Sequence, residues 1–298
     1  MEKEVIKNFA NSVDKTKVQE FYMTALSIVT SALSEIVENN EYKDLFTEET
    51  LRIFPMGDYT NDTFIDESGE LEIVIASHNP QLIFNNSTFL NNLKKVKSKK
   101  DKEKVSNLGT FDKFILDYSN VLATYFDETT YLLLTNDGLK ILCNKQYNFK
   151  ILIRFATYNE LDEKALLNFW DPMQKNIQPI DLFTYNEKME EKDTITHGNY
   201  KRLVRIFKNI RKTILMNKWA MGGDLNKYFI ELIIFNVPNS LMMDKDIVDS
   251  FCKVVNFLEN CDVISFKSFD GRELSSFSFA KLTYARVLNY IHYFTRLL

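Results

Sequence analysis

The stretch GDYTNDTFIDESGELEIVI, residues 57–75, decides how this chain reads. A turn-rich segment built on Gly57 and Asp58 runs into Leu71–Ile75, an apolar β-rich run. Glu70 and Glu72 stand two apart at the start of that run. On a strand, residues i and i+2 project from one face, so the spacing aims both carboxylates the same way from the start of a buried strand.

Downstream, Thr130–Thr135 and Lys140–Cys143 read as strands joined by Asn136-Asp137-Gly138, a strong hairpin turn. Phe149–Ala156 reads as a third strand. Upstream, residues 3–43 read as helical from Phe21, Ala25, Ile28, Val29, Leu33 and Ile36 at spacings of three and four. Residues 47–53 suggest a short helix capped by Thr47. Phe111–Phe126 is periodic as a helix, and residues 79–108 are polar, with seven lysines between Lys94 and Lys104. That lysine run reads as a solvated segment, or as a phosphate-contacting arm. Residues 160–195 are mixed, with Pro172 and Pro179 breaking helix. From Asn199 onward the pattern is helical, over about 199–219, 224–236, 244–259 and 276–297. The expected fold is α/β, a mixed sheet with helices over residues 1–195 followed by a helical lobe over 196–298, with the cleft between the lobes as the ligand site.

Composition narrows the function classes. The 298 residues are 45% hydrophobic and 26% charged, which excludes overall disorder. A net charge of -4 argues against a generic nucleic-acid-binding surface. Lysine outnumbers arginine 29 to 8, so no single lysine cluster carries much weight. Cys143, Cys252 and Cys261 are isolated, without a Cys-x-x-Cys or Cys/His cluster, so neither a disulfide framework nor zinc is expected. The charged N-terminus and the lack of an 18-residue apolar run predict a cytoplasmic protein with no membrane partner.

Three pieces in order carry a resemblance. The first is Gly57-Asp58, then Thr63, Ile65 and Ser68, then Glu70-Leu71-Glu72. The second is THGNYKRLVRIFKNIR, residues 196–211. The third is Tyr228-Phe229-Ile230-Glu231-Leu232 followed by Phe235-Asn236-Val237-Pro238. Together they resemble the bacterial cGAS-like nucleotidyltransferases (CD-NTases), over roughly residues 15–298. That resemblance implies a polymerase-β-like core, three carboxylates holding two metal ions, and a Gly-Ser turn that receives the triphosphate. It also implies products that act as nucleotide signals in antiphage defence. Carried onto this sequence, Glu70 and Glu72 would be the catalytic and metal-binding residues. Gly57, Asp58, Thr63, Ser68, Lys201, Arg205 and Lys208 would meet the nucleotide and its phosphates, with Lys208 the foremost of the cations.

The sequence departs from the family pattern at each catalytic position. Asp58 replaces a hydroxyl donor with an anion that would face and repel a triphosphate. Asp62 stands where a second glycine gives backbone freedom. Glu-x-Glu replaces Asp-x-Asp, and the extra methylene moves each carboxylate by roughly one bond length, where a 1 Å misplacement costs on the order of 10²-fold. The strand at 149–156 offers no third carboxylate. Leu152 takes that place, and Arg154, two residues on, supplies a cation that cannot ligate a metal.

Residues 57–72 hold six acids, and no Lys or Arg occurs between 57 and 93. Lys201, Arg205, Lys208 and Lys212 fall on one helical face, read as a phosphate-facing stripe or as a solvated face. Glu231, inside an apolar helix, calls for a core or interlobe partner. His197 reads as a loop or cap residue, and Trp170 and Trp219 as packing anchors. The residues therefore predict a degenerate centre that binds a nucleoside triphosphate, an oligonucleotide or a defence-system protein without catalysis. The alternative is an active Mg²⁺- or Mn²⁺-dependent nucleotidyltransferase that makes a nucleotide signal or modifies RNA or protein.

Overall fold

The structure is a computed structural model, and it describes residues 2–38, 42, 51–65, 70–77, 110–135, 138–142, 150–158, 166–171, 176–216, 227–262, 265–269 and 271. The Lys94–Lys104 run, Cys143, Trp219 and the helix expected at 276–297 lie outside the described residues.

Contacts divide the chain into two compact units, and not by a single cut after residue 195. One unit holds Asp14–Met56 and Glu67–Leu182; the other holds Met1–Val13, Gly57–Asp66 and Phe183–Leu298. The second is discontinuous because the turn following Met56 and the first helix both pack with the C-terminal helices.

The first unit is built on a seven-stranded mixed sheet. Its strands are β1 (Leu51–Met56), β2 (Glu70–Ser77), β3 (Tyr131–Thr135), β4 (Gly138–Leu142), β5 (Lys150–Tyr158), β6 (Leu166–Asp171) and β7 (Asn176–Asp181). The main order is β1-β2-β5-β4-β3, and β6, paired with β7, also joins β5. β2 and β5 run parallel, and the other pairs are antiparallel. β4 takes residues 150–153 of β5 and β6 takes 156–158, so the two share one edge of that strand. The expected strands are all present. Of the helix expected at 47–53, residues 51–53 are strand instead, where Leu51–Met56 pairs with β2 and that pairing outweighs local capping signals, and 47–50 lie outside the described residues.

Alternation sorts the central strands into two faces. Leu71, Ile73 and Ile75 join Ile151, Ile153 and Phe155 on one face, all buried. Helix α2 (Lys15–Val37) and helix α4 (Thr110–Ala123) belong to this unit. Tyr118 of α4 meets Phe155 edge-on at 6.1 Å and donates to the Val29 carbonyl of α2 at 3.1 Å. Burial pushes the Tyr118 phenol far above its ordinary range, so it stays neutral. The opposite face is apolar at one end, where Met56, Val74, Ala76, Ala156, Leu167 and Phe169 cluster. At the other end it carries Glu70 and Glu72.

The second unit contains α1 (Lys3–Ala10), the one-turn α3 (Asp58–Asn61), α5 (Leu182–Ile195), α6 (Asn199–Met216), α7 (Lys227–Phe235) and α8 (Ile247–Asn260). The single helix expected over 3–43 is thus two. Asn11 turns extended, and the Asp14 side chain caps α2 by accepting from the Thr16 amide at 2.9 Å. Tyr200, Leu203, Phe207 and Ile210 of α6 are buried in one cluster with Phe251 and Val254 of α8. His197 sits in the turn before α6 with φ 55, as a loop residue should.

The hairpin turn depends on Gly138. Its φ is +139, and a Cβ there would lie 2.1 Å from the Ile153 carbonyl oxygen on β5. Gly198 also has positive φ, +82, but a Cβ there meets nothing within 4 Å. Gly138→Ala should therefore cost about 2–4 kcal/mol, against about 1–2 kcal/mol for Gly198→Ala. Equal losses in denaturant unfolding would show that the β4–β5 approach is not this tight.

Candidate functional site

Two polar clusters contain the expected site residues, one in each unit. In the sheet unit, Glu70 and Glu72 do project from one face of β2, as the spacing predicts. β2 pairs in parallel with β5, so Glu70 faces Lys150, Glu72 faces Leu152 and Val74 faces Arg154. On the far side of β5, Lys140 of β4 is in register with Leu152. One face therefore carries Glu70, Glu72, Lys140, Lys150, Leu152 and Arg154. Leu152, 4% exposed, stands between Glu72 and Lys140 in a row across three strands.

Both carboxylates are paired with cations from the neighbouring strands. Glu70 is ion-paired with Lys140. Glu72 Oε2 lies 3.3 Å from Arg154 Nε. That nitrogen is buried and makes no hydrogen bond, so the contact is one of charge without alignment. Arg154 was expected to lend charge where a metal ligand is missing, and it sits where it can. Lys140 is a residue the sequence reading overlooked. The signal was available: the hairpin puts β4 beside β5, and alternation puts Lys140 on the Leu152 face.

These residues do not fit a two-metal centre. Leu152, the position the resemblance assigns to a third carboxylate, is apolar, and the two carboxylates present face a lysine and an arginine. Among the described residues no group of three His, Cys, Asp or Glu side chains could hold a metal ion. Ser68 lies outside the described residues.

The second cluster is made by the turn at 57–63 and helices α5, α6 and α7. Gly57 begins the turn with φ 74 and ψ −147, a conformation closed to residues with a Cβ. Asp62 ends α3 in the left-handed region at φ 55, so the loss of a glycine there has not cost the conformation; Asp tolerates it. Asp58 is 7% exposed, and its carboxylate accepts from Lys208 Nζ at 2.8 Å. The same ammonium donates to Thr63 Oγ1 at 2.8 Å and to Glu231 Oε1 at 2.6 Å. Thr63 donates in turn to Glu231 Oε1 at 2.8 Å, and Tyr185 donates to Glu231 Oε2. Asn61 Nδ2 donates to the Tyr185 hydroxyl at 2.8 Å. Burial and the neighbouring Glu231 hold the Tyr185 phenol well above its ordinary range, so it remains a donor.

Glu231 has thus found the partner that its apolar helix demanded. The expectation for Lys208 needs correction. It is 2% exposed and bonded to two carboxylates and a hydroxyl, neither solvated nor on an open phosphate-facing stripe. Two other cations of the stripe end on protein as well. Lys201 pairs with Glu190, and Arg205 donates to the carbonyls of Ala10 at 2.9 Å and Asp62 at 2.7 Å. Burial lowers the Arg205 pKa from its usual value. Helical periodicity marked these residues as one face but could not show which distant segments cover it.

Comparison with known proteins agrees with this architecture. Residues 187–278 match the cGAS/DncV-like nucleotidyltransferase C-terminal helical domain. The chain is 25% identical over 240 residues to a cyclic UMP-AMP synthase of Rhodothermus marinus (strain SG0.5JP17-172), covering 74% of this chain and 75% of the relative. It is 27% identical over 255 residues to the cyclic nucleotide synthase CdnE01 of Staphylococcus haemolyticus, covering 76% of each. In fold it resembles the Elizabethkingia meningoseptica CdnE cyclic dinucleotide synthase with a TM-score of 0.70, 17% identity, and coverage of 100% of this chain and 98% of that one. The fold is that of a polymerase-β-like nucleotidyltransferase core with a helical C-terminal domain. Residues 187–278 thus match the C-terminal helical domain of that family, and most of the chain is similar to cyclic nucleotide synthases of the bacterial cGAS-like (CD-NTase) kind.

The buried ammonium gives a direct test. Lys208→Met leaves the Asp58 and Glu231 carboxylates buried without their cation and should cost about 3–5 kcal/mol in urea unfolding. A solvated lysine would cost under about 0.5 kcal/mol, and that result would remove Lys208 from the cluster.

Proposed function

We propose that this protein is a CD-NTase with a degenerate catalytic centre, acting by binding a nucleoside triphosphate or oligonucleotide without turning it over. The observation that carries this reading is Leu152, in register between Glu72 and Lys140 where a third carboxylate is expected. Two-metal phosphoryl transfer needs enough negative ligand charge to hold both ions against each other. Here the ligand set is two glutamates, each paired with a cation of the chain itself. Nor does the turn supply a hydroxyl at position 58; Asp58 is engaged by Lys208. A defence-system protein that reads the bound state is the partner class this reading admits. Among the described residues no helix is long and apolar enough to cross a membrane.

The second reading is an active synthase using Glu70 and Glu72 with Mg²⁺ or Mn²⁺. It is favoured by the preserved two-residue carboxylate spacing and by relatives named as cyclic nucleotide synthases. One assay separates the two. Given mixed NTPs with Mg²⁺ or Mn²⁺, the wild-type protein should release no pyrophosphate above background. Leu152→Asp combined with Asp58→Ser should gain measurable release. Wild-type turnover abolished by Glu70→Ala with Glu72→Ala would establish the active reading instead.

A further inference from the structure

The sheet cluster has a property beyond its failure to match a metal centre. In both ion pairs the cation is the more exposed partner. Lys140 is 33% exposed against 16% for Glu70, and Arg154 is 21% against 5% for Glu72. The acids lie beneath and the cations above. Lys150 is exposed on the same face, in register with Glu70. The face thus holds two acids and three bases, with its positive charge outermost. In addition, Glu72 holds Arg154 by charge alone: the buried Nε makes no hydrogen bond to it, and a guanidinium carries five donors.

From this geometry we infer that Lys140, Arg154 and Lys150 form a metal-independent receptor for the polyphosphate chain of a nucleotide, with chain cations standing in for the divalent ions. This deepens the proposed function and rests on its nucleotide-binding part. Glu70 and Glu72 then act as positioning residues. Each holds a flexible cation in place, which lowers the conformational entropy lost when phosphate arrives. A guanidinium and an ammonium suit phosphate oxygens, the first through its planar fork and the second as a point charge. Leu152 between them supplies a dry floor that strengthens each contact by excluding water.

A metal-dependent site and this one predict opposite signs for the same substitution. Were Glu70 a metal ligand, Glu70→Gln would abolish binding. If Glu70 instead positions Lys140, glutamine keeps an acceptor for the ammonium while removing the negative charge beneath the phosphate, and binding should tighten by roughly threefold to tenfold. The experiment is equilibrium dialysis of radiolabelled ATP with the full chain, in excess EDTA and in Mg²⁺, with inorganic tripolyphosphate as competitor.

The expected result is binding that persists in EDTA and is displaced by tripolyphosphate. It should weaken about tenfold in Arg154→Gln and in Lys140→Gln, and tighten in Glu70→Gln. Lys150→Gln, at an exposed position where folding is not at stake, should weaken binding by roughly threefold, less at high salt. Binding that requires Mg²⁺ and is lost in Glu70→Gln overturns the inference. So does EDTA-resistant binding indifferent to all three cation variants, or no binding by the folded wild type. Pyrophosphate release is scored separately. Mg²⁺-dependent binding without turnover defeats this inference and leaves the degenerate centre standing; turnover defeats the latter alone.

Discussion

The parallel pairing of β2 with β5 is the constraint on which the sheet unit depends. Strand side chains alternate with a period of two, so a one-residue slip would send Glu70 and Glu72 to the face that Leu71, Ile73 and Ile75 now bury. The apolar face cannot accept them, and this fixes the register. Fixed register in turn sets Leu152 beside Glu72 and Arg154 one pair beyond. The β3–β4 hairpin then brings Lys140 alongside Leu152 on the other edge. The chemistry of the face follows from hydrophobic burial on the opposite side of the same strands.

In the helical unit the corresponding constraint is a buried charge. Lys208 lies on a helix whose neighbours Val204, Phe207 and Ile210 are buried in the core. An ammonium there is tolerable only with full compensation, which Asp58, Thr63 and Glu231 provide. That requirement ties the short turn at 57–63 to helices α6 and α7 and explains why the turn leaves the chain segment it interrupts. Asp58, which in isolation suggests an obstacle to phosphate, is in the folded chain an internal counter-ion.

Much of this was legible in the chain. The hairpin, the shared face of Glu70 and Glu72 and the need of Glu231 for a partner all follow from periodicity and the cost of burying charge, whereas the reading of Leu152 as the place of a third carboxylate rests on the family resemblance. The 47–53 region misled because local capping signals compete poorly against an available sheet edge. The cationic stripe on α6 misled because periodicity identifies a face without identifying what covers it. Lys208 is separated from Asp58 by 150 residues and from Thr63 by 145, beyond the reach of any local pattern.

The sequence by itself determined the class of fold, the resemblance to a family and the shared face of Glu70 and Glu72, since these reside in residue identity and in spacings of two, three and four. Tertiary structure alone decided which cations stand beside Glu70 and Glu72, and that Lys208 points inward. Both outcomes depend on which distant strands and helices share a core, a choice made by summed burial and charge compensation over the whole unit and by no short segment within it.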